Sequence, residues 1–177
     1  MDRTLYVLVY PSRLFAAHWS LWIPHVQDFK VGDRIHVTGD RLNGFQYEYI
    51  RSYDVSDDDR HPNAFPIGSV NELHLKGVED NSANTAEEMS DGNNSVCNAF
   101  DEACRQIPAP GPSLNKVSIA GGSTATAGPP KKAQVKDCQW WVKEVVSHLM
   151  EKQMLLPLEE GNEIDSPISK VDGLPRH

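Results

Sequence analysis

The sequence predicts an α+β domain in which a small antiparallel sheet is packed by a C-terminal helix bearing a cysteine. Three observations carry this reading. Residues 1–53 are dense in β-branched and aromatic side chains and are broken by turn signals, the composition of short strands. From Asp137 onward, Cys138, Trp141, Val142, Val145, Val146, Leu149 and Met150 recur at helical spacing and trace one broad apolar face. The chain has 177 residues, 39% hydrophobic and 24% charged, enough for one core and too few for two. A single domain is expected over 1–156, with a loose polar tail over 157–177 where Pro167 and Pro175 interrupt any pattern.

Strands are expected at about 4–10, 17–23, 34–39, 45–52 and 67–75. The breaks between the first four are Pro11-Ser12, Pro24 with Gly32-Asp33, and Asn43-Gly44, a dipeptide suited to a tight hairpin. Asp57-Asp58-Asp59 falls in a solvated acidic loop. Flexible loops are expected near 77–93, which is polar and without periodicity, and near 108–131, which is rich in Pro, Gly, Ala, Ser and Thr. Between them Val96, Cys97, Phe100, Cys104 and Ile107 predict a helix over 95–107 that Pro108 ends. Asp137 is the N-cap of the last helix, which runs to about 153.

Composition excludes some functions. The net charge is −8, and residues 54–107 hold 12 acidic side chains against 3 basic ones. Nucleic-acid binding needs a basic stripe to release phosphate counterions, and no third of the chain supplies one. The longest apolar runs, Leu5–Tyr10 and Leu14–Ala17, fall far short of the roughly 18 residues of a membrane span. The N-terminus carries Asp2 and Arg3 directly before a strand-like run and does not read as a secretory signal. Three cysteines, an odd number, argue against a disulfide framework and for a reducing compartment. A soluble cytoplasmic protein is the expectation.

The candidate chemistry centres on Cys138. A cysteine in the first turn of a helix, just after its cap, sits among free backbone N–H groups and the positive end of the dipole, and both favour a thiolate. A thiolate nucleophile works with an imidazole base, which in turn needs a polar group to fix its tautomer. His18 opens the strand His18-Trp19-Ser20-Leu21-Trp22-Ile23, and His36 lies within the next strand, Ile35-His36-Val37-Thr38. Neighbouring strands can present both to the N-terminus of a helix packed across the sheet. Trp19, Trp22 and Trp140 bracket the position, and indole surface there would shape an apolar acyl pocket. Cys97 and Cys104 read as small core residues. An alternative use of His18, His36 and Cys138 as zinc ligands lacks any Cys-x-x-Cys or His-x-x-x-His pair. No cofactor is called for.

His18-Trp19-Ser20-Leu21-Trp22 resembles the His-Trp-Ala-hydrophobic-Tyr strand of the lecithin:retinol acyltransferase-like proteins, in which a second histidine follows on the next strand. Asp137-Cys138-Gln139-Trp140-Trp141-Val142 resembles that family's Asn-Cys-Glu-His-Phe-Val, where the cysteine starts a helix. These proteins share a papain-like fold with the bacterial NlpC-type peptidases, circularly permuted so that histidine precedes cysteine, and the order His18, His36, Cys138 is similar. The chain is also similar to small proteins common in filamentous fungi. The resemblance implies Cys138 as nucleophile, His18 as general base and His36 as the orienting third member. The reaction it implies is attack on an ester or amide, a thioester intermediate, and release to water or an acceptor. The chain departs from the pattern at Asp137, Gln139 and Trp140, and in the longer gap from His18 to His36. Two other functions remain open: a tailoring or isomerising enzyme that uses the histidines without covalent catalysis, and a non-catalytic binding module. The substrate class is a small molecule, a lipid or a peptide.

Overall fold

The computed structural model describes residues 1–77, 96–113, 136–158 and 165–177. Among these residues six strands form one antiparallel sheet in the order β4-β3-β2-β1-β5-β6: β1 (Asp2–Tyr10), β2 (His18–Pro24), β3 (Val31–Asp40), β4 (Gly44–Asp54), β5 (Asn63–Asn71) and β6 (Leu155–Leu156). The first four strands lie where their β-branched and aromatic residues predict them. Among the described residues three α-helices accompany the sheet: α1 (Ala99–Arg105), α2 (Cys138–Glu151) and α3 (Pro167–Asp172). The α+β class and the C-terminal helix bearing Cys138 are both present. Among the described residues, no helix is long and apolar enough to cross a membrane.

Period-two alternation divides the sheet into two faces. Val7, Val9, Trp19, Leu21, Ile35 and Val37 point to one face, where α2 lays down Trp141, Val142, Val145, Val146 and Leu149, each fully buried. At about 1.5–3 kcal/mol per large apolar side chain removed from water, this layer is the main source of stability. Leu8, Tyr10 and Trp22 point the other way and form a smaller cluster with Tyr6, Tyr53 and Val55. The segment after β4 covers this second face. Asp54 caps a short 3₁₀ turn over Val55–Asp57, and Arg60 then reaches back to lie 4.3 Å from the centre of the Tyr10 ring.

The structure corrects several boundaries. The strand expected at 67–75 is displaced to Asn63–Asn71, because Asn71 accepts a hydrogen bond from Leu73 N and turns the chain into a 3₁₀ segment. Pro66 is accommodated within β5 beside a register shift at Leu5/Tyr6. The hairpin between β3 and β4 is not a two-residue Asn-Gly turn. Asp40 pairs with Gly44, and the Asp40 carboxylate accepts from the N–H groups of Leu42 and Asn43, holding a three-residue loop. Gly44 has φ +93°, a conformation that favours glycine. Of the helix expected at 95–107, the structure holds Ala99–Arg105, capped by Asn98. Of the flexible loops expected near 77–93 and 108–131, residues 78–93 and 114–131 lie outside the described residues, whereas 108–113 are fastened to the β3–β4 hairpin, with Phe45 N donating to Pro110 O at 2.8 Å and Ser113 N to Arg41 O at 3.0 Å.

The largest correction concerns the tail. Within 165–177, Ser166 caps α3, Val171 is fully buried, and Leu174 is buried against the main core. Ala17 N donates to Arg176 O at 2.8 Å and Trp19 Nε1 donates to Pro175 O at 3.0 Å. A segment with only a few apolar residues docks because Ala17, just before β2, and Trp19, within it, offer backbone and indole partners. Composition alone carries no such information.

Candidate functional site

The candidate site forms where β2 and β3 diverge. Their paired register runs from Pro24↔Gly32 to Leu21↔Ile35, leaving the start of β2 without ladder partners from β3. The N-terminus of α2 enters there. Asp137 Oδ1 accepts from the N–H groups of Gln139 and Trp140, both at 3.1 Å, and Asp137 Oδ2 pairs with Arg41 at 2.8 Å. These contacts fix the first turn of the helix. Gln139 Nε2 donates to Ala17 O at 2.8 Å and to Arg176 O at 3.1 Å. An amide suits this position because both partners are carbonyl acceptors, which a carboxylate would repel.

Cys138 follows the cap as expected, and its Sγ lies 4.0 Å from Ala17 O. The thiol is buried, with 8% exposure. The expectation of a lowered pKa is overturned. Loss of solvent pushes the thiol up to about 11, outweighing the N–H groups of Trp19, Gln139 and Cys138 that favour the thiolate. A thiol at the start of a helix gains from the dipole only to the extent that water or a counter-charge also serves the anion.

The structure brings His18 and His36 together. His18 Nε2 lies 3.0 Å from His36 Nδ1, and His36 Nε2 lies 3.0 Å from Glu48 Oε2. The carboxylate accepts, so His36 carries its proton on Nε2 and presents Nδ1 as an acceptor to His18. His18 then donates from Nε2 and keeps its lone pair on Nδ1, which has no hydrogen-bond partner among the described residues. Sequence reading missed Glu48. The turn from Asp40 to Gly44 sets it opposite His36, whereas a two-residue Asn43-Gly44 turn would have set Arg51 there.

The same alternation that buries Trp19 under α2 turns His18 toward the other face. Its ring lies 5.5 Å from that of Tyr10 and 5.2 Å from that of His36. Cys138 approaches the backbone on either side of His18 from the helix side, and no hydrogen bond joins Sγ to the imidazole. The indoles expected to wall a pocket are divided among three settings. Trp19 is fully buried in the main core, Trp22 belongs to the smaller cluster, and Trp140 is partly exposed with the Lys136 ammonium 4.5 Å from the centre of its ring. A cavity of about 310 Å³ opens elsewhere, at His25, Asp33, Tyr49 and Cys97.

Both imidazoles are neutral at pH 7. Burial first, then the Arg34 guanidinium, lowers His18 to about 4 and His36 to about 3. In the unfolded chain each takes up a proton near the ordinary 6.5. The unfolded state therefore binds more protons below that value, and stability falls as the pH drops from 6.5 toward 4. The expected loss is about 1.4 kcal/mol per pH unit for each histidine that stays neutral. Denaturant midpoints at pH 7, 6 and 5 measure this directly, and His18→Gln should reduce the slope. Midpoints independent of pH over that range would contradict the neutral pair.

Compared with known proteins, residues 5–156 match the model of one family, described as a family of unknown function (DUF6540). No curated protein and no solved structure matches the chain.

Proposed function

Since the chain belongs to the DUF6540 family, whose description records no activity, we propose its function from the site itself: a cysteine-dependent hydrolase or acyl/amide transferase acting on an ester or amide. Cys138 is the nucleophile, His18 the general base, and His36 with Glu48 the group that orients it. On this reading the site is a circularly permuted papain-like one, and what supports it is the chain order His18, His36, Cys138. The observation that carries the reading is the relay from Glu48 through His36 to His18. It leaves Nδ1 as the free basic nitrogen of a residue whose flanking backbone touches the thiol.

With the thiol near 11 and His18 near 4, the resting pair is neutral and holds no preformed thiolate. Proton removal then accompanies attack on the carbonyl, so His18 acts as a general base during bond formation. Sulfur bonds to the carbonyl carbon while its proton passes to His18 through one bridging water, because the thiol lies on the helix side of the β2 backbone and the imidazole on the other. That proton leaves with the departing alcohol or amine as the thioester forms, and water or an acceptor then cleaves the thioester. The N–H of Cys138 is available to the developing oxyanion.

Iodoacetamide tests this directly. At pH 7 Cys138 should be modified before Cys97 and Cys104, and His18→Ala should slow that modification by about 10²-fold or more. The rate should rise with pH as His18 loses its proton near 4 and then level off well below the thiol's own ionisation. Equal, slow labelling of all three thiols would sink the covalent reading.

One observation favours a second reading, acid–base chemistry by His18 and His36 without a covalent step: the thiol is buried, raised in pKa and not bonded to the imidazole. Turnover of p-nitrophenyl acetate separates the two. Loss on both Cys138→Ala and His18→Ala supports the thiol mechanism, whereas loss on His18→Ala alone supports the second.

A further inference from the structure

We propose that Arg34 binds a carboxylate group of the substrate, held in the plane of its guanidinium beside His18 and His36. The proposal rests on the acyl-transfer reading for what happens to the substrate, while the anion site has its own geometry and its own test.

Arg34 lies on β3, two residues before His36 and on the same face, and is only 4% exposed. Its Nε donates to Ser20 Oγ at 3.2 Å, and Nη2 lies 3.4 Å from His36 Nδ1. A buried guanidinium ordinarily has a carboxylate partner, because an uncompensated charge away from water is costly. Among the described residues Arg34 has none. The two acids nearby are committed elsewhere. Asp58 receives Arg60 through both carboxylate oxygens and also accepts from the Tyr53 hydroxyl, while Glu48 receives His36 Nε2.

Arg34 Nη1 has no hydrogen-bond partner among the described residues, and it is not one of the sealed, unpartnered polar atoms, which are Arg3 Nε and Trp22 Nε1. The molecule therefore holds a positive charge with a donor left open next to the proposed base. The guanidinium carbon lies over the rings of Tyr10 and Tyr53, at 4.9 and 4.8 Å from their centres. With its faces against aromatic rings, the group can bond only at its edge, in its own plane. A carboxylate is a planar acceptor that fits this approach. The ligand class is an ester or amide that also carries a carboxylate.

Binding would also act on the base. Arg34 and Arg60 disfavour a proton on His18, Asp58 favours one, and His36 and Tyr10 complete its surroundings. An anion on Arg34 cancels part of the opposing field and makes His18 a stronger proton acceptor once the substrate is in place.

The test uses acetate and its neutral isostere acetamide, added to the full chain at pH 7. The Arg34 Nε–H and the imidazole carbons of His18 and His36 are followed by NMR. Acetate should shift these signals saturably, with an affinity about tenfold or more above that of acetamide. Arg34→Gln should abolish the difference and Arg34→Lys should retain part of it. Equal responses to acetate and acetamide in the unaltered chain overturn the proposal, even if Arg34→Gln does not fold. So does an acetate response that survives in Arg34→Gln, and inorganic phosphate binding more tightly than acetate overturns the assignment to a carboxylate. If alkylation of Cys138 fails while acetate binds selectively, the acyl chemistry falls and the anion site stands. The converse result removes the anion site alone.

Discussion

Replacing Asp101 by alanine should lower the free energy of unfolding by about 3–5 kcal/mol, the range for breaking a buried, hydrogen-bonded ion pair from one side. Asp101 has no exposed surface. Its Oδ1 accepts from the Tyr47 hydroxyl and from Arg105 Nε at 2.9 Å, and its Oδ2 accepts from Cys97 N at 2.8 Å. Its own N–H donates to Asn98 Oδ1 at 2.8 Å, closing the cap of α1. One carboxylate thus ties β4, α1 and the chain entering α1. Alanine takes the shared acceptor from three donors at once and removes the carboxylate beside the Arg105 guanidinium, which is only 22% exposed. Asp101→Asn should cost less, because it keeps one acceptor oxygen. Chemical denaturation of the two variants measures the effect. A loss under 1 kcal/mol for alanine would mean that α1 is held by Phe100 and Cys104 packing alone.

Trp19→Ala should cost a similar amount, about 3–5 kcal/mol for deleting a large aromatic side chain from a packed core. Trp19 is fully buried, and its Nε1 holds Pro175 O. The substitution therefore opens a cavity beneath α2 and releases the C-terminal segment. Limited proteolysis should cut Trp19→Ala near 165–177 under conditions that leave the parent chain intact. Trp19→Phe should recover most of the stability but remain sensitive to cleavage, because it fills the volume without supplying the N–H. Equal protection of Trp19→Phe and the parent would show that Val171 and Leu174 suffice to dock the tail. Trp19 serves this packing role although it adjoins the proposed base, so its effect on stability should be much larger than that of His18→Ala.

Legibility from sequence followed the range of the interactions concerned. The β-branched and aromatic runs of the first 53 residues and the apolar stripe from Cys138 to Leu149 are local signals, and both elements formed where the pattern placed them. Asp137 was readable as a cap because capping depends on the next three residues alone. Glu48 was hidden because its place beside His36 depends on register across a hairpin, and a turn different from the expected one moves every partner along the strand. Arg34 was hidden because a charged residue in a strand reads as exposed until the rings of Tyr10 and Tyr53, from β1 and β4, are seen to close over it. The docked tail was hidden because its partners, Ala17 and Trp19, lie more than 150 residues earlier in the chain.

What the sequence by itself determined is the α+β class, the order of strands and helix, and the order His18, His36, Cys138, since these depend on local periodicity and on covalent sequence. Only the tertiary structure decided the state of those groups. Burial raised the thiol instead of lowering it, and the β3–β4 register supplied Glu48. The divergence of β2 from β3 set His18 beside Tyr10, His36 and Arg34. Ionisation and hydrogen bonding depend on what surrounds a group in space, and that environment is assembled from segments distant in the chain.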